Sequence, residues 1–359
     1  MEVIFIGSTL IILLVTVLPL SRHPHWIIRS MDFPRLQIAF LAGALLLLLF
    51  FFAELHQTIS WILIAVTAIC LVRQLWWILP YTPLWRKEVL ADEHGNPGAN
   101  ISFITSNVLT TNRNADALIK LVEKYKPDIL VTLESDQWWE DQLKVLEEDM
   151  PYSVKCPLDN LYGMHVYSKL PLHDAKISFL VEDDIPSVHA CAELRNGRKI
   201  QLHLLHPAPP SPTENEESAE RDAELIVVAK RVVTSDQPVI VTGDLNDVAW
   251  SSTTRLFRKI SSLLDPRVGR GMYNTFHAQY RLLRWPLDHI FHSHHFTLRQ
   301  IKRLPSIDSD HFPLYTALSF SPAKGELQQG LDDDSEDRER AADITEEKDV
   351  SKEEVPQPK

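Results

Sequence analysis

The stretch that most limits the possible fold of this chain is Pro238 to Asp247, PVIVTGDLND. Within it, Val239 to Thr242 is a run rich in β-branched residues, which is typical of a strand buried on both faces. The run stops at Gly243, which permits a sharp turn or the close approach of a ligand. Asp244 and Asn246 follow, and their spacing lets both side chains point into one site. The stretch therefore predicts a buried strand with a carboxylate and an amide at its end.

This polar pair suits phosphoryl chemistry. Asp244 can accept a proton from water, and Asn246 can donate hydrogen bonds to a phosphoryl oxygen. The same two residues can also form an Asx turn that closes a core strand. The G-D-x-N pattern alone leaves both interpretations open. The residues at the other predicted strand ends are needed to distinguish a phosphoryl-transfer site from an Asx turn.

Composition narrows the classes of function. The chain has 359 residues, enough for membrane segments and one large domain. Its formal net charge of −12 argues against a dedicated nucleic-acid-binding protein, because phosphate contacts need clustered lysine and arginine. The 3 cysteines, Cys70, Cys156 and Cys191, fit no metal spacing and form no disulfide framework.

Residues 1–79 predict a membrane module with three transmembrane helices. Apolar runs extend from Val3 to Leu20, from Leu36 to Ala53 and from Ile59 to Val72. Each is near the roughly 20 residues that cross the hydrocarbon core. A signal peptide, the alternative for the first run, would need a preceding basic region that the sequence lacks. An interfacial aromatic belt is predicted at Trp76, Trp77, Tyr81 and Trp85.

The distribution of positive charge predicts the orientation of this module. The short loop after the second run carries Glu54 and His56 but neither lysine nor arginine. The cations lie in the first loop and after the third run, at Arg22, Arg29, Arg35, Arg73, Arg86 and Lys87. The positive-inside rule then places the N-terminus outside and the large C-terminal domain in the cytoplasm.

A β-α-β unit opens the soluble part of the chain. Ile101 to Thr105 predicts a strand that leads to Asn107, and Asp116 to Lys126 has the apolar spacing of a helix. Asp128 to Leu133 predicts a second strand, which ends at Glu134. Because both strands finish in a polar residue, we expect a site at their ends.

Further elements follow along the chain. Asn196 and Gly197 are the strongest short hairpin signal in the sequence. The second arm of that hairpin leads to His206. The predicted strands are Tyr162 to Ser168, Val188 to Leu194, Lys199 to Leu205, Leu287 to His292 and Tyr315 to Phe320, and a helix is predicted from Ala223 to Val233.

Changes in composition predict the domain boundaries. Residues 80–97 are rich in proline, glycine and charge and are interpreted as a linker. Residues 98–322 carry the strands and helices of one domain. Residues 323–359 are acidic and poor in apolar side chains, so we predict a disordered tail.

Polar residues at or near the predicted strand ends form one set. Carboxylates, amides and imidazoles without cysteine describe a site for a hard cation, and oxygen ligands favour Mg²⁺ or Mn²⁺ over Zn²⁺. The members of the set are Asn107, Glu134, His206, Asp244, Asn246, Asp288, Asp310 and His311.

Six motifs in this order resemble those of the endonuclease/exonuclease/phosphatase superfamily, which includes DNase I-like nucleases, sphingomyelinases and inositol-polyphosphate phosphatases. They are SNVL, PDILVTLES, LHLLHP, VIVTGDLND, PLDHIF and SDHFPL, and the resemblance covers roughly residues 98 to 320. It implies an α/β fold, a four-layer α/β sandwich of two packed mixed sheets flanked by helices, here preceded by the transmembrane helical module. The segment HLLHPAPP resembles the membrane-tethered bacterial branch, which implies a multi-pass protein of the bacterial inner membrane.

The resemblance also implies roles for single residues. Asn107, Glu134 and Asp310 match metal-binding positions, and Asp244 matches the residue that positions or activates the attacking water. Asn246 matches the donor to the transition state. The remaining three matches are the catalytic histidine, the aspartate that holds it and a second histidine near the scissile phosphate, at His311, Asp288 and His206.

One departure from the family pattern concerns the number of metals. Nuclease members often carry an acidic residue just after the first-strand asparagine. Here Asn107 is followed by Val108, Leu109, Thr110 and Thr111, without a carboxylate. A two-metal mechanism is therefore not expected from the sequence.

Other histidines and aromatics have competing interpretations. The zinc interpretation of His289, His292, His294 and His295 is disfavoured, because a strand sends alternate imidazoles to opposite faces and no cysteine accompanies them. His203 and His206 are expected on opposite faces for the same reason. His165 and the pair Trp138 and Trp139 can line a substrate groove, although packing is the favoured interpretation for the tryptophans.

The sequence thus predicts a membrane-anchored, Mg²⁺-dependent (or Mn²⁺-dependent) phosphoesterase. It would hydrolyse phosphate mono- or diesters by in-line attack of water, with a lipid-linked phosphate in the bilayer as the expected substrate. The rival within the same fold is a Mg²⁺-dependent nuclease acting on DNA or RNA, which the charge does not favour. A third possibility, of another class, is a non-catalytic membrane scaffold or binding module.

Overall fold

A computed structural model describes residues 2–92 and 96–359. His94 and Gly95 of the predicted linker lie outside the described residues. The helices, in chain order, are α1 (Glu2–Val17), α2 (Trp26–Ser30), α3 (Arg35–Phe52), α4 (Thr58–Ile78), α5 (Ala115–Tyr125), α6 (Gln137–Leu143), α7 (Ala219–Val232), α8 (Ser252–Ser261), α9 (Pro322–Gly325) and α10 (Ser335–Glu347). The strands are β1 (Asn100–Asn107), β2 (Ile129–Leu133), β3 (Tyr152–Cys156), β4 (Met164–Ser168), β5 (Leu172–Ser178), β6 (Ser187–Glu193), β7 (Lys199–Leu205), β8 (Val239–Asp244), β9 (Asp288–His292), β10 (Phe296–Arg303) and β11 (Leu314–Phe320).

Three N-terminal helices are long and apolar enough to cross a membrane, as predicted. They span Glu2–Ser21, Arg35–Phe52 and Thr58–Tyr81. Polar side chains form hydrogen bonds between these helices. The hydroxyl oxygens of Thr9 and Thr67 are 3.3 Å apart, and the Gln74 amide donates to the Thr16 hydroxyl at 3.0 Å. Such interhelical hydrogen bonds stabilise helix pairs that have little hydrophobic driving force in lipid. The orientation of these helices stays a prediction from the charges.

Two mixed sheets form the centre of the C-terminal domain. The six-stranded sheet has the order β10-β11-β1-β2-β4-β3, and the five-stranded sheet has the order β5-β6-β7-β8-β9. Each sheet contains one parallel pair, β1 with β2 and β7 with β8. The carboxyl ends of parallel strands meet at one edge of a sheet, so each pair delivers two strand ends to the same place.

The core lies between the sheets and beneath the flanking helices. Phe103 and Val131 of the first sheet and Leu202 and Ile240 of the second are fully or almost fully buried in one apolar cluster. Helices α5 and α6 cover the outer face of the first sheet, and α7 and α8 cover that of the second. This arrangement confirms the predicted four-layer α/β sandwich.

The acidic tail is folded, so the prediction of disorder after residue 323 is wrong. Helix α10 begins at an Asp334 cap, and its Ala341 and Thr345 are buried. The Lys230 ammonium on α7 donates to Thr345 at 2.6 Å, and Lys259 on α8 forms an ion pair with Asp337. The tail is ordered because a short apolar stripe packs on α7 and α8 while their lysines pair with its polar side chains, a tertiary effect that composition does not reveal.

Substituting Ala341 with Asp is expected to release this segment, because a carboxylate would replace a methyl group that is 1% exposed. Limited trypsin digestion should then cleave after Arg338 and Lys348 on the order of tenfold faster than in the wild type. The matched variant Ala342→Asp changes a half-buried neighbour and should stay close to the wild-type rate. Equal rates for Ala341→Asp and wild type would show that the packing does not hold the tail.

The domain also packs directly on the membrane module. The indole of Trp250 donates to the Asp32 carbonyl at 2.8 Å, and the Tyr81 hydroxyl donates to the Ala249 carbonyl at 2.5 Å. Arg29 of the first loop donates to Ser252 at 3.3 Å. Since the segment from Ala249 to Ser252 comes a few residues after Asp244, the strand end with the predicted site is held close to the ends of the apolar helices.

Candidate active site

All predicted site residues lie at or next to strand ends of the two sheets. Asn107 ends β1, Asp244 ends β8 and Asp288 begins β9. Glu134 follows β2, and His206 follows β7. Asp310 and His311 precede β11, and Asn246 follows β8. The two parallel pairs bring these ends together at one edge of the sandwich, where the Thr105 and Thr242 hydroxyls of the two sheets are 3.0 Å apart.

Glycine is required at position 243 because the backbone of the neighbouring strand lies close to it. The sequence had suggested the approach of a ligand instead. The φ of Gly243 is 152°, and a Cβ at this position would lie 1.8 Å from the Leu205 carbonyl oxygen. Only glycine lets β8 pass this close to the neighbouring strand β7. The close approach therefore comes from the backbone, and it aligns the strand ends that carry His206 and Asp244.

The side-chain amide of Asn107 connects the two sheets, because it contacts Glu134 next to one sheet and Asp244 in the other. The Asn107 Nδ2 donates to Glu134 Oε1 at 2.6 Å and lies 3.3 Å from Asp244 Oδ2. Asn107 Oδ1 accepts a hydrogen bond from the Leu109 backbone at 3.1 Å. Glu134 has a φ of 58°, in the left-handed region that a non-glycine residue adopts only at an energetic cost. The backbone turn places its carboxylate on the amide of the neighbouring strand.

A buried Asp-His-Asp chain lies beside this cluster. His311 Nδ1 is 2.8 Å from Asp288 Oδ2, and His311 Nε2 is 3.4 Å from Asp244 Oδ2. All three side chains are at most 5% exposed. Burial acts to lower the pKa of His311, but the carboxylates of Asp244 and Asp288 outweigh it and raise the pKa to about 10. His311 is therefore an imidazolium at neutral pH.

Burial also shifts the carboxyl groups of the site. It raises the pKa of Glu134 to about 7, although the Asn107 hydrogen bond and the charge of His311 act in the opposite direction. Burial raises the pKa of Asp244 as well, and the nearby carboxylate of Asp288 adds to the effect. A carboxylate with a raised pKa is a stronger base, as a group that takes a proton from water should be.

His206 and Asn246 complete the set of predicted residues that the structure brings to this edge. Burial lowers the pKa of His206 to about 4, so the ring is neutral at neutral pH. The Nδ1 of His206 has no hydrogen-bond partner within residues 2–92 and 96–359. Asn246 donates one hydrogen bond to the Pro207 carbonyl at 3.0 Å, which leaves a second amide hydrogen for a ligand.

Asn107, Glu134 and Asp310 are the predicted ligands of a hard divalent cation, and each carries an oxygen donor. Carboxylate and amide oxygens are the ligands that Mg²⁺ prefers. No lysine or arginine of the described residues forms an ion pair with the Glu134 carboxylate, and burial together with the charges of Asp310 and Asp244 raises its pKa against the effects of Asn107 and His311. Asn107 Oδ1 keeps a second lone pair after its bond to Leu109.

A second set of donor atoms lies beside Asn107. One oxygen each of Asp244 and Asp288 and a nitrogen of His311 lie within 4.8 Å of one another. Both ring nitrogens of His311 contact this set, whereas Asp288 Oδ1 is buried without a hydrogen-bond partner among the described residues. The division of tasks between this set and Asn107, Glu134 and Asp310 stays a prediction from the family resemblance.

The histidines outside the set have structural partners. His203 Nδ1 lies 2.7 Å from His189 Nδ1, away from His206, in agreement with the predicted opposite faces. His289 contacts Arg267 at 2.7 Å and the Asp247 carbonyl at 2.9 Å. His165 is buried 3.4 Å from the Asp136 carbonyl.

Three neighbours of the site were not found from the sequence. Phe276 packs its ring 4.9 Å from that of His311, and the Tyr162 ring lies 5.2 Å from that of His206. The buried Arg221 of α7 donates to the Asn246 carbonyl at 2.9 Å and so holds the turn after β8. An arginine and an aspartate within a buried helix face, Arg221 and Asp222, are the signal that could have indicated this support.

The sequence matches a known protein family over the part of the chain that carries these residues. Residues 99–311, more than half of the chain, match the endonuclease/exonuclease/phosphatase family. The chain belongs to this family. Members of the endonuclease/exonuclease/phosphatase family are metal-dependent hydrolases of phosphoric esters, and the chain is an enzyme of that hydrolase class. Comparison with curated protein sequences gave no match.

Solved structures with the same fold agree with the family assignment. They include D. rerio TDP2 complexed with a single-strand DNA product, at 17% identity, with 62% of this chain and 99% of that chain covered and a TM-score of 0.51. The catalytic domain of human nocturnin with bound sulfate matches at 17% identity, with 63% and 96% covered and a TM-score of 0.50. An endonuclease/exonuclease/phosphatase from Beutenbergia cavernae matches at 12% identity, with 62% and 72% covered and a TM-score of 0.50. At these identities the likeness shows the fold.

Proposed function

We propose that this chain is a membrane-anchored phosphoesterase that acts on a lipid-linked phosphate ester with the aid of a divalent cation, Mg²⁺ or Mn²⁺. Water would attack the phosphorus in line with the leaving oxygen, without a covalent intermediate. The proposal combines the hydrolase class of the family with the place of the site relative to the apolar helices.

The observation that carries the proposal is the segment of residues 276–285, which we call the site loop. At one end, Phe276 packs on His311, and the Ala278 backbone donates to the Asp310 carbonyl at 2.6 Å. At the other end, Gln37 of the apolar helix α3 donates to the Leu282 carbonyl at 2.8 Å. The same short loop therefore contacts both the site and a predicted transmembrane helix.

The side chains of the site loop suit a membrane surface. Leu282 is 84% exposed and Leu283 is 47% exposed, and Tyr280 beside them is also exposed. Arg281 and Arg284 alternate with these apolar side chains. Apolar side chains enter the lipid boundary and cations attract anionic head groups, so this composition is typical of an interfacial segment. A lipid in the same leaflet would have its phosphate close to His311.

The residues of the site have distinct tasks in this proposal. Asp244 accepts a proton from the attacking water, and Asn246 donates to a phosphoryl oxygen. The imidazolium of His311, held by Asp288, donates from Nε2 to the charge that develops on the phosphoryl group. Asn107, Glu134 and Asp310 would hold the divalent cation, which neutralises phosphoryl charge when bound.

The test is a substrate panel with the full-length protein in detergent or lipid nanodiscs, with Mg²⁺ and with EDTA. The panel contains phospholipids, polyprenyl phosphates, the soluble diester bis(p-nitrophenyl) phosphate and plasmid DNA. We expect Mg²⁺-dependent hydrolysis of a lipid-borne phosphate at a kcat/KM well above that of the soluble diester. Cleavage of DNA without lipid hydrolysis would favour the nuclease instead, and no turnover of any phosphate ester would favour a binding module.

Variants of the site loop separate the lipid preference from the chemistry. Leu282→Ser with Leu283→Ser removes apolar side chains that the structure leaves exposed. The ratio of lipid to soluble-diester kcat/KM should fall by roughly 30-fold, because each of the two lost side chains removes on the order of 1 kcal/mol of interfacial binding. Val145→Ser, at an exposed apolar side chain of the domain just after α6, is the control and should leave the ratio unchanged. An unchanged ratio in the double variant would contradict the proposed role of the loop.

A further inference from the structure

A polar cavity lies between the membrane module and the domain. Its volume is about 240 Å³, and its walls come from the end of α1, from α4, from α8 and from the tail helix α10. Six cationic side chains but only two carboxylates, Asp32 and Asp337, line it. The cations are Arg22, Arg35, Arg73, Arg255, Lys259 and Arg340.

Both carboxylates are already paired. Asp32 forms a buried ion pair with Arg35, and Asp337 pairs with Lys259. A third lining cation, Arg22, pairs at 2.9 Å with Glu336, which lies outside the cavity walls. Three of the six cations, Arg35, Lys259 and Arg22, are therefore paired with carboxylates of the chain.

The other three cations, Arg73, Arg255 and Arg340, form no ion pair within 4 Å in residues 2–92 and 96–359. The cavity carboxylates nearest to them, Asp32 and Asp337, are paired with Arg35 and Lys259 and act on them only from farther away. The nearest polar partner of Arg340 is the Ser252 hydroxyl, at 3.5 Å. Burial and the charges of Arg29 and Arg22 lower the pKa of Arg340, against the effect of Asp222. Three unpaired guanidinium groups around one cavity repel each other unless an anion joins them.

Trp77 provides part of the wall and orients two of these cations. The guanidinium carbon of Arg73 lies 5.7 Å from the centre of the indole, and that of Arg255 lies 5.9 Å from it. Stacking on an indole favours a cation but leaves its N–H donors free. These donors therefore remain available for the oxygens of a phosphate, which guanidinium groups bind with two parallel hydrogen bonds.

The position along the apolar helices points to a lipid. Arg73 directly follows the apolar run Ile59 to Val72, eight residues before the end of the span Thr58–Tyr81. Pro19 and Leu20, which also line the cavity, lie at the end of the span Glu2–Ser21. Helix ends of this kind are at the level of the lipid head groups. Basic pockets between membrane helices at this level are suited to anionic head groups.

We propose that this cavity binds the phosphate head group of an anionic membrane lipid, and that Arg73, Arg255 and Arg340 are its ligands. The bound lipid would join α4, α8 and the tail helix, so that the domain is held on the membrane in one orientation. The cavity is formed by residues other than those of the catalytic site, and the proposal goes beyond the proposed hydrolysis. A soluble phosphate ester has the same charged group but lacks the acyl chains, so the two sources can be separated by experiment.

The test is lipid binding measured by native mass spectrometry of the full-length protein in a neutral detergent. We expect one molecule of phosphatidylglycerol to bind at least about tenfold more tightly than phosphatidylcholine, since each of the three basic residues adds to the attraction for an anionic head group. Arg255→Gln with Arg340→Gln should abolish most of this preference, and Arg255→Lys with Arg340→Lys should retain part of it. The readout does not depend on turnover, so its result stands whether or not the proposed activity is found.

Controls separate the cavity from general surface charge. Arg86→Gln removes an exposed cation beside the same membrane surface but outside this cavity, and it should leave the lipid preference unchanged. Unfolding temperatures of all variants are measured to confirm that they are folded. Equal binding of both lipids by the wild type, or an unchanged preference in Arg255→Gln with Arg340→Gln, would overturn the proposal. Displacement of the lipid by an equal concentration of glycerol phosphate would overturn the assignment to a lipid.

Discussion

Replacing His311 with Gln is expected to lower kcat about 10³-fold or more on any phosphate ester that the wild type hydrolyses, because positioned proton donors and acceptors contribute about 10²–10⁴-fold. The imidazole contacts Asp288 through Nδ1 and Asp244 through Nε2, at 2.8 Å and 3.4 Å. Glutamine can keep one of these contacts but carries no positive charge. The loss should appear in kcat and in kcat/KM to a similar extent, which indicates an interaction made in the transition state.

The pH dependence of stability gives this variant a second signature. The pKa of His311 is raised from an ordinary value of 6.5 to about 10 in the folded chain. The folded state therefore binds a proton that the unfolded state releases, and the resulting stability is fully present below about pH 6.5 and lost as the pH rises towards 10. The unfolding temperature of the wild type should fall over this pH range, and His311→Gln should remove that part of the pH dependence.

The matched control for His311 is His173→Gln. His173 is partly exposed on β5 and pairs with Glu193 at 2.9 Å, away from the site. Its replacement should change neither kcat nor the alkaline loss of stability. If His311→Gln retained more than a tenth of the wild-type kcat while its unfolding curve lost the alkaline slope, the ion-paired imidazole would be a structural element and the assigned chemistry would be wrong.

The buried strands and their polar ends were predictable because they depend on local patterns. Apolar runs such as Val239 to Val241 have few alternatives to a central strand, and a polar residue at their ends marks the edge of the sheet. The positions of Asn107, Glu134, His206 and Asp244 follow from this rule together with the parallel pairing of the strands. Their convergence could thus be inferred before the coordinates were known, although their individual roles stay predictions.

The exposed elements were not predictable in the same way. β3 and β5 are strands with polar, largely exposed side chains, and α8 was not recognised because its apolar residues are few. Helix α10 depends on packing against α7 and α8, which are far away in the sequence. Local propensity carries little information about elements that are held by distant partners.

The relation between the site and the membrane module was also beyond the sequence. The contact of Gln37 with the site loop and that of Trp250 with Asp32 join residues more than two hundred positions apart. No periodicity indicates such pairs. The sequence predicted a tether, whereas the structure shows a packed interface that holds the site close to the ends of the apolar helices.

Replacing Glu134 with Gln is expected to abolish the stabilisation by divalent cations and to raise the stability of the metal-free protein at pH 8. Burial raises the pKa of Glu134 from 4.5 to about 7. Between these two pH values the unfolded chain releases a proton that the folded chain keeps, so this carboxyl makes folding less favourable as the pH rises from about 4.5 to 7. Glutamine is neutral throughout and removes that cost, which is on the order of 2 kcal/mol after allowing for solvent screening at this largely buried carboxyl.

A cation bound to the ionised Glu134 offsets the same cost in the wild type. At a concentration about 100-fold above its Kd, a bound ion stabilises the folded state by about 2.7 kcal/mol, which corresponds to roughly 5–10 °C in unfolding temperature for a domain of this size. The shift on adding Mg²⁺ to EDTA-treated wild type should therefore be larger at pH 8 than at pH 5, where Glu134 is protonated. Glu134→Gln should show little shift at either pH and little turnover.

The matched control is Glu140→Gln, which changes a carboxylate that lies on α6 outside the site and 3.5 Å from Lys155. It should keep the wild-type response to Mg²⁺ at both pH values. Three results would each argue against a cation at Glu134. They are an equal Mg²⁺ shift at pH 5 and pH 8, a Mg²⁺ shift that survives Glu134→Gln, and a metal-free Glu134→Gln protein that is no more stable than the wild type at pH 8. The pH 8 comparison in EDTA is decisive for the electrostatics, because it tests the poorly compensated buried charge without involving the metal or the substrate.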